Sequence, residues 1–272
     1  MELSDKNFFL LDMDGTIYLD NDLFDGTLEF LSEVRARGGR YLFVTNNSSK
    51  GRSDYVKKLK SIGITDTTED DFFTSTDATI LYLKNKFSGR RFYSLGTESF
   101  TSQLREAGID VVTELCDDIF GLIISNDNEL NFKKLTDACI LLGRDVEYIA
   151  TNPDWVCPTS FGYVPDCGSF AEMLWRATGK RPHFIGKPRP EMLLLSMESC
   201  GFTPEESVMI GDRVYTDIAA GYNAGIDTIF VLSGEGTLDD ARSSDTPPTY
   251  IMNNIREVLD SITSRPTSDK GI

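Results

Sequence analysis

Apolar residues in this chain arrive in short runs whose period changes from one run to the next. "NFFLLDMD" and "RYLFVTNN" are continuous apolar stretches ended by polar residues, the pattern of strands buried on both faces. The segments that follow them, Leu23 to Arg37 and Ser53 to Ile62, space their apolar positions as amphipathic helices do. "DFFTS" then predicts a short strand and "DATILYLKNKF" a helix. The C-terminal part repeats the style. "HFIGK", "SVMIGD" and "DTIFVLS" read as strands, "PEMLLLSMESCG" and "TDIAAGYNAG" as helices, and Gly201 and Gly225 stand where helix-ending glycines belong. A last strand and helix in "TYIMNNIREVLDSI" precede a polar tail from about Thr263, which is expected to fray. Strand–helix alternation of this kind implies an α/β fold: a Rossmann-like parallel sheet with helices on both faces.

Between the two halves lies a second series of the same type. "RRFYSLG", "IFGLIIS" and "EYIATNP" predict strands, with helices through "ESFTSQLREAG" and "NFKKLTDACILLG". These elements suffice for an independent core. The expected organisation is a discontinuous core of residues 1–82 and 183–272, interrupted by a smaller α/β domain at 83–182. Within the insert, Thr151 to Phe170 ("TNPDWVCPTSFGYVPDCGSF") reads as a long loop rich in Pro and Gly, with Trp155, Phe161 and Tyr163 available to stack or pack. Loops of that length are more often functional than idle. Asn152 and Asp154 are its polar candidates, beside Trp155, for substrate specificity.

Composition narrows the chemistry. The 272 residues are 40% hydrophobic and 26% charged, which suits a soluble globular protein. No apolar run approaches the roughly 20 residues that span a bilayer. "MELSDKNFF" lacks the basic and apolar regions of an export signal, so no membrane and a cytoplasmic location are expected. Five scattered cysteines without a CxxC argue for reduced thiols. A single histidine, His183, argues against a His-built zinc site or a Ser-His-Asp triad; a structural or hinge-lining role is expected for it. The net charge of −16 disfavours a nucleic acid polymer as partner. An anionic substrate would then need positive charge supplied locally, and a divalent cation is one means.

Ligands of open parallel sheets bind beyond the C-terminal ends of the strands. Those ends read Asp12-Met13-Asp14-Gly15-Thr16, Thr45-Asn46-Asn47-Ser48-Ser49-Lys50, Gly186-Lys187-Pro188 and Gly211-Asp212-Arg213, with Asp217 five residues after Asp212. Each alone is ordinary turn chemistry. Together they supply carboxylates, a hydroxyl, amides and a lysine, the inventory for a hard cation and a phosphoryl group. Mg²⁺, with Mn²⁺ as a substitute, suits such oxygen ligands. Asp12 is positioned as nucleophile through an aspartyl-phosphate and Asp14 as general acid/base. Thr45, Asn46 and Lys187 would hold the phosphoryl oxygens, and Asp212 would complete the metal site.

This arrangement resembles the haloacid dehalogenase-like (HAD) phosphohydrolases. Their DxDGT motif is matched by Asp12 to Thr16, their strand-end Thr or Ser by Thr45, their lysine by Lys187, and their acidic pair by Asp212 and Asp217, in the family's order. "VTNNSSKGR", "IATNPD", "FIGKPRPEM" and "GDRVYTDIAAGYNAGIDTIFVLSG" look like the NagD-type and p-nitrophenyl-phosphatase-type branch, which carries a large α/β cap where the insert falls. The resemblance implies Mg²⁺ held by Asp12, the Asp14 carbonyl and Asp212, with Asp217 supporting them from behind. It also implies a cap that supplies the leaving-group pocket. The expected activity is hydrolysis of small phosphate monoesters of the nucleotide, sugar phosphate, phosphoglycolate or p-nitrophenyl phosphate type. The expected partner is a small phosphorylated metabolite, and a homodimer is left open. The alternatives are a phosphotransferase or mutase using the same intermediate, and a phosphoacceptor signalling module. The module is normally about half this length and lacks the paired DxD.

Overall fold

The computed structural model describes residues 3–48, 51–159 and 161–264. Ser49, Lys50 and the tail from 265 onward, which includes most of the segment expected to fray, lie outside the described residues. The chain forms two compact units. One comprises Met1–Val44, Lys58–Asp71 and Met197–Ile272, the other Thr45–Lys57 and Phe72–Ser196.

In the first unit the strands Tyr250–Met252, Asp227–Val231, Ser207–Gly211, Phe8–Leu11 and Arg40–Thr45 lie side by side in that order, every neighbouring pair parallel. Phe8–Leu11 and Ser207–Gly211 are buried along their whole length, as the unbroken apolar runs predict. Leu11 is in register with Ile210 on one side and Phe43 on the other. The chain therefore leaves Phe8–Leu11 in one direction and returns on its other flank. That is a topological switch point, where open sheets bind ligands. Helices Thr27–Ala36 and Ile255–Thr263 flank the sheet. The latter buries Ile255, Val258, Leu259 and Ile262, a stripe at helical spacing.

The helix expected from Leu23 starts only at Thr27. Before it, Tyr18–Leu19 and Asp22–Leu23 form a short antiparallel hairpin whose turn holds Asp20 at φ 54°. The Thr27 hydroxyl then donates to the Ile17 carbonyl at 2.9 Å and ties the helix start to this hairpin. Polar "DND" carried the turn, and an amphipathic count could not see it.

In the second unit the strands run His183–Phe184, Glu147–Ala150, Gly121–Ile124, Arg91–Leu95 and Asp110–Val112, again all parallel. Helices Ser75–Lys86, Glu98–Glu106, Phe132–Leu142 and Cys167–Thr178 accompany them. Residues 83 and 182, the borders expected for the inserted domain, both lie inside this unit. The strand read from "HFIGK" is only His183–Phe184, so Ile185 to Lys187 continue past the end of the sheet.

The segment 151–170, expected as a loop, contains an antiparallel hairpin, Val156–Thr159 with Gly162–Pro165. Prolines at 158 and 165 made it read as irregular, yet proline is compatible with strands that lack a partner on one side. Trp155, Phe161 and Tyr163 are exposed there, at 59%, 80% and 71%.

Candidate active site

The register of the first sheet sets its acidic end. The Asp12 N–H donates to the Ile210 carbonyl at 2.9 Å, which extends the pairing by one residue and brings Asp12 level with the end of Ser207–Gly211. Asp212 follows directly. After it the chain makes a widened turn over Val214–Ile218, in which the Asp217 and Ile218 N–H groups both donate to the Arg213 carbonyl, at 3.0 and 3.3 Å. The turn carries Asp217 back over the strand end. A Cβ on Gly211 would lie 2.3 Å from that of Asp217, so only glycine admits this return. One oxygen from each of Asp12, Asp212 and Asp217 then lies within 4.8 Å of the others.

Like charges this close are unfavourable without compensation. Asp212 is 2% exposed; burial first, then Asp12 and Asp217, push its carboxyl up to about 7. Its Oδ2 accepts from the Glu235 N–H at 2.7 Å, while its Oδ1 is buried without a hydrogen-bond partner among the described residues. Asp217 Oδ2 accepts from the Arg213 N–H at 3.2 Å. Three convergent carboxylates, with one buried oxygen left over, fit a hard divalent cation, which needs such ligands and removes the repulsion.

Asp14 is separate from this cluster. Its side chain is 61% exposed and turned towards the hairpin: Tyr18 Oη donates to Oδ2 at 3.2 Å, and Lys58 Nζ lies 3.5 Å from Oδ1. Lys58 also sits over the Tyr18 ring, 4.2 Å from its centroid. The Asp14 carboxyl is held above the ordinary value. The protein crowding around it is the main cause and Asp12 adds to it, against the opposing pull of Lys58. A raised carboxyl suits a group that both gives and takes a proton.

The second unit organises its own candidates around Asn46. The Asn46 Oδ1 accepts from the Lys187 N–H at 2.8 Å, and its Nδ2 donates to the Lys187 carbonyl at 2.9 Å and to the Asp154 carboxylate at 3.1 Å. The Asn46 carbonyl accepts from Ser75 Oγ at 2.6 Å and from Asn152 Nδ2 at 2.9 Å. Lys187 is 3% exposed, and Thr45 Oγ1 accepts from the Asn47 N–H at 3.2 Å. Both amide hydrogens of Asn46 are thus turned onto protein acceptors, and in this structure its side chain holds the Lys187 segment. Asn152, a candidate for substrate specificity from the sequence, is fully buried: its Oδ1 accepts from the Asp154 N–H at 3.0 Å and its Nδ2 donates to the Asn46 carbonyl. Buried amides must be paired, and these are spent on the turn they close.

A family profile described as haloacid dehalogenase-like hydrolase matches residues 9–110, and a second, HAD-hydrolase-like, matches 184–258. The acid sugar phosphatase of Staphylococcus aureus (strain MRSA252) is 33% identical over 251 residues, 92% of this chain and 96% of that protein. This chain belongs to the haloacid dehalogenase-like hydrolases. The crystal structure of a 4-nitrophenylphosphatase from Thermotoga maritima is similar at 38% identity with a TM-score of 0.88, covering 96% of this chain and 98% of that one. A glycerol phosphate phosphatase from Mycobacterium tuberculosis, in complex with magnesium, is 28% identical with a TM-score of 0.87, covering 95% of this chain and 79% of that one. The protein is an enzyme, a phosphatase of this family and of its p-nitrophenyl-phosphatase-type branch.

For this haloacid dehalogenase-like phosphatase, the structure joins Asp12, Asp212 and Asp217 in the first unit. It joins Asn46, Asn152, Asp154 and Lys187 in the second. Tyr18 and Lys58 were missed from sequence. Lys58 is one of three lysines in "VKKLKS", and only the helix rotation decides which of them meets Asp14. Among the described residues no helix is long and apolar enough to cross a membrane.

Proposed function

We propose that this enzyme hydrolyses small phosphate monoesters through an aspartyl-phosphate on Asp12. One Asp12 oxygen attacks phosphorus; the ester oxygen leaves as an alcohol with the proton that Asp14 gives up. Asp14 then takes a proton from water, whose oxygen attacks the phosphoryl group, releasing inorganic phosphate and restoring Asp12. Thr45 and Lys187 hold phosphoryl oxygens, and Asn46 keeps Lys187 in place. Asp12, the Asp14 carbonyl and Asp212 would hold Mg²⁺ or Mn²⁺, with Asp217 beside them. When bound, the ion supplies positive charge for the phosphoryl oxygens and offsets the carboxylate repulsion.

The observation that supports this reading most is the division between the carboxylates. Asp12, Asp212 and Asp217 converge as a cation's ligands would, while Asp14 stands apart with a raised carboxyl and its own hydroxyl and ammonium neighbours. Residues 83–182 form a cap in this reading. Asp154 and Trp155 contact the leaving group, and Asn152 acts by fixing Asp154. Sugar phosphates head the candidate substrates, because the Staphylococcus aureus relative bears the name acid sugar phosphatase. The test is a panel of nucleotides, sugar phosphates, phosphoglycolate, glycerol phosphate and p-nitrophenyl phosphate, assayed for phosphate release with Mg²⁺ and with EDTA. An excess alcohol acceptor in a parallel set detects phosphoryl transfer. Asp12→Asn is expected to lower turnover by roughly 10⁴-fold or more; retained turnover would overturn the mechanism.

A further inference from the structure

The segment Ser233–Gly236 follows the strand Asp227–Val231 and closes onto the acidic cluster, yet the reaction above makes no use of it. Three hydrogen bonds seat it. The Glu235 N–H donates to Asp212 Oδ2 at 2.7 Å, the Gly236 N–H donates to the Asp212 carbonyl at 3.1 Å, and Ser233 Oγ donates to the Gly15 carbonyl at 2.7 Å. The Glu235 carboxylate is itself anchored, paired with Arg213 Nε at 2.9 Å and accepting from Tyr215 Oη at 3.0 Å. The approach leaves no room for side chains. A Cβ on Gly234 would lie 2.0 Å from Asp212 Oδ2, and one on Gly15, where φ is +82°, 2.4 Å from the same atom.

The consequence for Asp212 is specific. A carboxylate has two equivalent oxygens and a soft torsion, so alone it could turn either one towards a ligand. Here the Glu235 N–H spends Oδ2, and the backbone of Gly15 and Gly234 walls it in. Oδ1, buried and without a partner among the described residues, is the oxygen left to present. Ser233 fastens the same segment to the turn that follows Asp14. Groups behind a metal ligand that fix its orientation are worth about 10- to 100-fold in affinity.

We propose that Ser233–Gly236 is a clasp that sets the cation affinity of the site, with Ser233 and Gly234 as positioning residues; this rests on the cation reading above. The experiment is Mg²⁺ binding to the purified full chain without substrate, by isothermal titration calorimetry. Gly234→Ala is expected to weaken Mg²⁺ roughly 10- to 100-fold. Ser233→Ala is expected to weaken it about 5-fold, and Ser233→Thr, which keeps the hydroxyl, to restore it. Asp212→Asn separates the two readings. If it binds Mg²⁺ as well as the wild type, the cation reading fails. If it abolishes binding while Gly234→Ala and Ser233→Ala both stay within about twofold of the wild type, the clasp is overturned and the cation reading stands. Unfolding curves in EDTA check that each variant folds. Should Gly234→Ala not fold, the Ser233→Ala and Ser233→Thr pair decides, because it changes only a hydroxyl and a methyl.

Discussion

Asn46 holds the peptide of Lys187 at both ends, accepting from its N–H at 2.8 Å and donating to its carbonyl at 2.9 Å. A buried ammonium is useful only if its backbone is held, and this amide is what holds it. Asn46→Ala leaves the Lys187 N–H, the Lys187 carbonyl and the Asp154 carboxylate each short of a partner, at about 1–3 kcal/mol apiece before relaxation. The expected outcome is a loss of about 3 kcal/mol in stability and roughly 100-fold in kcat/KM. Asn46→Asp should be worse, because it sets a second carboxylate against Asp154. Thermal unfolding and steady-state kinetics on any ester that the panel identifies measure both.

Lys58 pulls the Asp14 carboxyl down against the crowding that raises it. Lys58→Met removes that opposition, so the Asp14 carboxyl should rise further. With Asp14 protonated as the acid that serves the leaving oxygen, activity falls on the alkaline side of the pH profile. The variant should move that limb to higher pH. A profile of kcat/KM against pH with its limb unmoved would remove Lys58 from this role.

Asp212 links metal, pH and stability. Its ordinary value is 3.8, and in the fold it stands at about 7. A carboxyl raised on folding favours the native state while it keeps its proton. Its contribution is therefore full below the unfolded value and is lost as pH rises to about 7. The metal-free protein should lose stability across that window. Mg²⁺ must displace the proton, so its affinity should fall about tenfold per pH unit below about 7. Unfolding temperatures in EDTA and in excess Mg²⁺, at pH 5.5 and pH 8, give the readout: the gap between the two should widen at pH 8.

Away from the site, Lys6 is 2% exposed, pairs with Asp227 Oδ2 at 2.7 Å and donates to the Glu205 carbonyl at 2.6 Å. Asp227 is 30% exposed, so Asp227→Ala strands a buried ammonium that keeps the Glu205 carbonyl as acceptor, and should cost about 1–3 kcal/mol. Replacing both partners, as Lys6→Met with Asp227→Ala, should recover much of that loss. Denaturant titration of the four proteins in the cycle measures the coupling directly.

The parts legible in the sequence are those that depend on position along a strand. Asp12 and Asp212 each follow an uninterrupted apolar run, and parallel pairing brings the ends of such runs to one edge, so their meeting could be read in advance. What depended on rotation or on closure was not legible. Lys57, Lys58 and Lys60 are equivalent until the helix Arg52–Ser61 fixes its orientation. Asn152 in "TNPD" reads equally as a ligand contact or as the amide that closes its own turn, and burial assigns it to the turn. Nothing in the letters of "SGEG" reports how near this segment comes to Asp212. The hairpin Val156–Thr159 with Gly162–Pro165 was hidden by its prolines.

The widened turn Val214–Ile218 has a consequence for how this sequence can change. Each residue of a helical turn swings the chain by about 100°, and Asp217, with four residues between it and Asp212, is brought back to the Asp212 carboxylate by the widening of this turn. Adding or deleting one would swing Asp217 out of the cluster and drive its neighbour onto Gly211. Apart from Asp217 itself, the segment therefore tolerates exchange of letters better than a change of count. Its length, as much as the carboxylate it carries, is part of the chemistry.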